Sequence, residues 1–335
     1  MLKLGVYRLD QFYAVHRQGL AASIRFQLTR GRTSMQLLGA DLPLPEKVAL
    51  FERIIRGVQL SSGVWRYTSR GRFEQLDGYL NRILAKHFDS GAALDVHDWA
   101  ASDCSTSAEW ASALSSQFPN ARLTASDLML FVVEGTLPDG DAYIFEPSGV
   151  PLQYIHPPFV IRLSPPERPV LPVNWALCRR VRPKAQDLWR QWAIPSSWIE
   201  SGSETLEQPP LMFRKISLIH PEAEALRRRS NLFTVRKHSI FDRLPDCCDV
   251  IRSMNILNRS YFSETRLLEG ARAVWLSLKP EGIWIVGRTL KENPPVHAAT
   301  VFTKDERGFR LIDRYDKGSE IDELVAGATF NDRAE

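Results

Sequence analysis

The chain has 335 residues, 44% of them hydrophobic and 24% charged, with a formal net charge of +4 and a pI near 8.9. That composition suits one large folded core or two modest ones, and the charge is too small for a dedicated nucleic-acid binder. No run approaches the roughly 20 apolar residues that span a bilayer, the clearest being 128–133, and the amino terminus lacks the long apolar stretch of a secretory signal, so the expected compartment is the cytoplasm.

Residues 1–40 carry no readable pattern. Pro43 and Pro45, with Glu46 behind them, mark a helix start. Val48, Phe51, Ile54, Ile55 and Val58 share one helical face. Phe73, Leu76, Leu80, Ile83, Leu84 and Phe88 share a second one. Residues 1–90 are therefore expected to be a helical amino-terminal region that packs on the rest or caps it. From residue 91 strand-like and helical runs alternate, the pattern of a mostly parallel sheet covered by helices. Strands are expected at 92–99 and 121–126, around a helix at 106–117.

Residues 128–205 read as a β-rich insertion. Runs 128–133 and 142–145 flank Pro138-Asp139-Gly140, a hairpin signal, and a short strand at 150–154 follows Ser148-Gly149. Eight prolines from Pro147 to Pro172 argue against a helix or a central strand there. Residues 160–190 hold seven Lys or Arg against two acids. Alternation resumes with a strand at 212–219, a helix at 222–229, and strands at 232–240 and 248–254. A helix at 264–278 and a strand at 283–286 follow. Runs 299–303 and 309–314 form a hairpin around Asp305-Glu306-Arg307-Gly308.

Three positions carry the chemistry. Asp98 ends the first strand, and Ala100, Ser102 and Cys104 follow at the spacing that glycines fill in nucleotide-binding turns. Thr106 and Glu109 then form a capping box for the next helix. Asp127 ends the second strand, 23 residues after Cys104, where a carboxylate can accept ribose hydroxyls. Asn255 closes the strand at 248–254, on the side of the sheet where ligands bind. Each has a plain alternative: an ordinary strand-to-helix turn, a turn or cap aspartate, and a polar cap on a strand end. The four cysteines, Cys104, Cys178, Cys247 and Cys248, show no CxxC spacing and no neighbouring histidine cluster. No metal site is expected from them, and the adjacent pair reads as two half-buried thiols at a strand start.

Over about residues 91–315, outside the insertion, the chain resembles the class I S-adenosylmethionine-dependent methyltransferases. "LKPEGIWIVGR" at 278–288 carries the general likeness. "DWAASDCSTSAEW" at 98–110 and "DVIRSMNILNRSYF" at 249–262 look most like the chemotaxis-receptor (CheR-like) glutamate methyltransferases. The resemblance implies a Rossmann-like, mostly parallel seven-stranded sheet over 91–335 and S-adenosylmethionine as cofactor. By resemblance, Asp98, Ala100, Ser102, Asp103 and Cys104 would line its methionine part. Asp127, with Leu128 beside it, would hold the ribose. Ile240, Phe241 and Asp242 would border the adenine, and Asn255 and Ile256 would flank the sulfonium. Ser107 replaces that family's glycine, Ala108 replaces a glutamate, and Asn258-Arg259-Ser260 precedes the Tyr-Phe pair. The chemotaxis substrate is not carried over.

The implied function is methyl transfer to an unidentified acceptor, a small molecule or a protein or peptide side chain. A carboxylate acceptor needs no strong base, because the cofactor supplies the reactive group and the protein orients it. For an amine or hydroxyl, His156, Tyr154 and Tyr261 are candidates to take the proton, with a structural role as the alternative for each. A second reading keeps the fold without the chemistry, motivated by the missing glycines. A third, a nucleic-acid methyltransferase, rests on the basic stretch with Trp175 and Trp189. Asn293-Pro294-Pro295 reads as a loop, and Arg227-Arg228-Arg229 as a solvated helix end.

Overall fold

A computed structural model describes residues 5–17, 32–61, 63, 66, 69–164, 172–244, 247–290 and 295–331. Asn293-Pro294 lies outside the described residues. In chain order the strands are β1 (Asp95–Trp99), β2 (Arg122–Asp127), β3 (Phe131–Thr136), β4 (Ala142–Phe145), β5 (Pro151–His156), β6 (Phe159–Arg162) and β7 (Thr205–Gln208). They continue with β8 (Leu211–Ser217), β9 (Phe233–Lys237), β10 (Cys248–Met254), β11 (Leu278–Leu290), β12 (Val296–Asp305) and β13 (Gly308–Tyr315). The chain divides into two compact units, Met1–Thr68 with Met129–Pro221, and Ser69–Leu128 with Glu222–Glu335. The amino-terminal region expected over 1–90 is shared between them: helix Leu44–Ile55 belongs to the first and helix Glu74–His87 to the second.

The second unit holds a seven-stranded sheet in the order β9-β2-β1-β10-β11-β12-β13. Counted within the unit this is 3-2-1-4-5-6-7. The first five strands run parallel, and β12 and β13 add an antiparallel meander. The fold is α/β and Rossmann-like, with its strand order reversing between β1 and β10. Central parallel strands are covered on both faces and read as continuous apolar runs. Ile283 to Val286 of β11 are fully buried, as are Val250 and Ile251 of β10. Helix Glu264–Ser277 is capped by Ser263, whose Oγ accepts from the Arg266 N–H. It turns Leu267, Ala271 and Val274 onto a core shared with Trp99, Ile251 and Trp284.

The first unit is a six-stranded antiparallel sheet, β6-β5-β4-β3-β8-β7. Period-two alternation separates its two cores. Val132, Ile144 and Ile216 face Phe51, Ile54 and Met35 from the amino-terminal segment. Val133, Phe145 and Phe213 face Cys178, Ala185 and Trp192 of helix Pro172–Trp192. The turn at Gly140 adopts φ +86°, closing the β3–β4 hairpin as Pro138-Asp139-Gly140 predicted.

Three expectations change. The strand read at 212–219 as a return to the parallel sheet is β8, paired between β3 and β7 of the other sheet. The proline-rich stretch does contain strands. Pro151 is tolerated as the first residue of β5, beside a register shift in the β4 pairing, and β6 lies at the edge. Pro172 opens a 21-residue helix that also accommodates Pro183, and the basic residues Arg179, Arg180 and Lys184 occupy its exposed side.

Gly135 of β3 has no room for a side chain, since a Cβ would lie 2.7 Å from Trp192 Cζ3 and 3.0 Å from Phe213 Cε1. Gly135→Ala should therefore lower stability by about 1–3 kcal/mol through overpacking, read as a fall in the urea midpoint with an unchanged slope.

Candidate functional site

The parallel register sets Asp98 of β1 directly beside Arg252 of β10, so their side chains share a face of the sheet. Arg252 is fully buried. Its Nε and Nη2 donate to the two Asp98 carboxylate oxygens at 3.0 and 2.5 Å, and its Nη1 donates to Asp77 Oδ1 at 2.6 Å. Asp77 comes from helix Glu74–His87. The guanidinium lies 4.1 Å from the centre of the Trp110 ring, and Ser107 Oγ donates to Asp98 Oδ2 at 2.6 Å. Trp110 is itself tied to that helix by its Nε1 donating to Asn81.

One guanidinium can balance one carboxylate. Burial pushes the Asp77 carboxyl up to about 7, with Asp98 and Glu109 adding to the push and Arg252 opposing it. Arg252 itself stands above the ordinary arginine value, because its two acidic partners outweigh the effect of burial. The sequence held the signal for this cluster. Asp77 falls on the apolar face of its helix, and Arg252 puts a full charge in the middle of a central strand, directly after Val250 and Ile251.

The turn after β1 has an alternating backbone. Ala100, Ser102 and Cys104 adopt φ of +58°, +57° and +64°. These are the three positions where the motif pattern calls for glycine, and each costs about 1–2 kcal/mol for a residue with a Cβ. Asp127, at the end of β2, holds the turn: its Oδ2 accepts from the Ser102 N–H at 2.8 Å. The Ala101 N–H donates to the Ser126 carbonyl, again from β2. Asp103 accepts from the Ser105 N–H and Oγ at the start of helix Ser105–Leu114.

The other expected residues lie in the same unit. Asn255 also has positive φ, +63°, and its Oδ1 accepts from the Thr289 N–H, joining the ends of β10 and β11. Ile256 is half-buried against the sheet core. Ile240 is buried, whereas Leu128 is 59% exposed. The Phe241 ring packs edge-on to Phe262 and carries the Arg266 guanidinium 3.7 Å from its centre. The Asp242 N–H donates to the Ser239 carbonyl. Tyr261 is 51% exposed. Tyr154 and His156 belong to the first unit, where both engage Asp141, His156 Nδ1 at 2.6 Å. Burial, together with Asp141, raises the Tyr154 hydroxyl above its usual range.

On the other face of β1, His97 is buried beside Arg236 and His238. Burial chiefly, with both neighbours assisting, pushes its pKa down to about 3, so the imidazole is neutral.

A scan against protein-family models finds no match, and a search of curated proteins finds none. Among solved structures, the mitomycin 7-O-methyltransferase MmcR is similar at 14% identity and a TM-score of 0.28, over 84% of this chain and 50% of that one. The citrinin polyketide synthase CMeT domain gives 11% and 0.35, over 82% and 46%. CalS10, an amino pentose methyltransferase from Micromonospora echinaspora bound to S-adenosylmethionine, gives 10% and 0.29, over 72% and 69%. The chain spans about half the length of the first two. The Rossmann-like fold rests on the chain's own strand order.

Two outcomes follow for the buried cluster. Arg252→Met strands two buried carboxylates and should cost about 3–5 kcal/mol, seen as faster hydrogen exchange at the amides of β1 and β10. Asp77 has a raised folded-state pKa, so its favourable contribution is complete below pH about 4 and is lost as pH rises through about 7. Unfolding free energies from urea melts between pH 4 and 7 should fall for the native chain relative to Asp77→Asn by up to about 1.4 kcal/mol per pH unit, the opposite trend set by the neutral His97 being common to both chains. In the turn, Ser102→Gly relieves a left-handed backbone strain and should hold or raise stability by up to about 1 kcal/mol, whereas Ser102→Val should lower it.

Proposed function

We propose that the protein is a cytoplasmic S-adenosylmethionine-dependent methyltransferase, acting on a small molecule or on a protein or peptide side chain. The cofactor site is proposed at the carboxyl ends of β1, β2 and β10 in the second unit. The observation that carries this reading is the turn after β1. Three alternate residues take the left-handed conformation despite lacking glycine, at the point where strand order reverses. Backbone strain of this kind persists where surrounding structure enforces it, and it gathers at ligand sites. The absence of a membrane-spanning helix among the described residues agrees with a cofactor taken from water.

The residues present suit the group. The turn leads directly into a helix start, and the carboxylate that holds its Ser102 N–H stands at the end of β2. Asp127 would release the Ser102 N–H and accept the ribose hydroxyls. Ala100, Ser102, Asp103 and Cys104 would follow the methionine part by backbone. Leu128 would lie beside the ribose, Ile240, Phe241 and Asp242 would border the adenine, and Asn255 and Ile256 the sulfonium. Asp98 is assigned a positioning part, since Ser107 and Arg252 already engage its carboxylate. Bound there, the cofactor would supply an electrophilic methyl group. Tyr261, exposed in the same unit, is proposed to steer or take a proton when the acceptor is an amine or hydroxyl.

A second reading, a protein of this fold that binds the cofactor or its demethylated product without chemistry, is favoured by one observation. Asp127 and Asn255 both already bond within the chain. Calorimetric titration with S-adenosylmethionine and S-adenosylhomocysteine separates the outcomes. Micromolar binding, weakened about tenfold or more in Asp127→Ala, supports the site. Failure of the native chain to bind at millimolar cofactor sinks it. Binding without transfer of labelled methyl to carboxylate, amine and hydroxyl acceptors would leave the second reading.

A further inference from the structure

Cys248 is the first residue of β10 and Cys247 precedes it. His97 stands in the middle of β1, the neighbouring strand, 150 residues earlier in the chain. Strand pairing brings one ligand atom from each of the three side chains to within 4.8 Å of the others. The two sulfurs lie 3.4 Å apart and are unbridged. His97 and Cys248 are buried, while Cys247 is half-buried, which leaves a way in from solvent.

We propose that His97, Cys247 and Cys248 form a binding site for a thiophilic metal ion of the Zn2+ type. Two sulfurs and one imidazole nitrogen are the donor set such an ion selects, with a fourth position left to water or another ligand. The spacing is close to what tetrahedral coordination asks. With zinc–sulfur bonds of about 2.3 Å, the two sulfurs would be about 3.8 Å apart, an opening of a few tenths of an ångström. Among the described residues the imidazole has one hydrogen bond, a long contact of 3.3 Å from Arg236 Nη2 to Nδ1; a guanidinium can only donate, so the neutral ring has a lone pair to offer an ion.

The sulfurs border the apolar core around Trp99, Ile251 and Leu278, but the groups beside the imidazole are polar and incompletely matched. Arg236 Nε and His238 Nε2 are buried without a hydrogen-bond partner among the described residues. Both residues face His97, and His238 packs its ring on Trp99, 4.6 Å between centres. With both thiols ionised, the ligand charge would balance a divalent ion and Arg236 would remain beside the sulfurs. The site uses the face of β1 opposite Asp98, and it depends on no property of the proposed cofactor.

The test is titration of the full chain, kept reduced, with Co2+ as a spectroscopic stand-in. One equivalent should produce a sulfur-to-cobalt charge-transfer band and four-coordinate visible absorption, both removed by Zn2+. Cys247→Ser, at a partly exposed position, should lose part of the charge-transfer intensity and bind at least about tenfold more weakly. His97→Gln should retain the band while weakening binding. Circular dichroism checks that both variants fold, and Cys247→Ser alone suffices if His97→Gln does not. The proposal is overturned if the native chain shows no charge-transfer band with excess Co2+, or if Cys247→Ser binds with unchanged spectrum and affinity.

Discussion

A single buried cation, Arg252, ties together four parts of the second unit. It holds β1 through Asp98, helix Glu74–His87 through Asp77, and helix Ser105–Leu114 through the Trp110 ring, while itself belonging to β10. A charge taken out of water this completely is tolerated only where hydrogen bonds and opposite charge surround it. Two acids for one guanidinium exceed what charge balance requires, and Asp98 adds to the rise in the Asp77 pKa that burial chiefly causes. The arrangement also pins Asp98, and through Ser107 it pins the helix that follows the turn.

That pinning explains how a turn without glycine keeps its shape. Left-handed backbone at three alternate residues is unfavourable locally. The strain is offset by neighbours on both sides: Asp127 and Ser126 of β2 hold the turn from one direction, and the Arg252 cluster fixes its flanks. A ligand with hydroxyl groups bound there would compete with the Ser102 N–H for Asp127, so its affinity would be coupled to the stability of the turn itself.

The first unit is organised differently. Its sheet is apolar on both faces, and period-two alternation sends successive residues of β3, β4 and β8 to two separate cores. Two of its buried polar side chains, Glu134 and Gln153, are matched. Glu134 accepts from Arg214 Nε and Nη2, and Gln153 accepts from the Met35 N–H while donating to the Thr33 carbonyl. Long basic side chains are left to the outer side of helix Pro172–Trp192, where water solvates them.

The sequence by itself determined what depends on short-range physics. The strand runs of β10, β12 and β13, the helical stripe of 74–87, the Asp139-Gly140 turn and the strand and turn from Asp98 into the next helix are all local patterns, and each appears where its residues predicted. The tertiary structure alone decided what depends on pairing between distant segments. It assigned β8 to the antiparallel sheet, placed Arg252 against Asp98 and Asp77, and set His97 beside Cys247 and Cys248. Local pattern says that a residue faces inward. It does not say which strand, more than a hundred residues away, supplies the group it will meet, because that is set by sheet order and register, which only the packed whole selects.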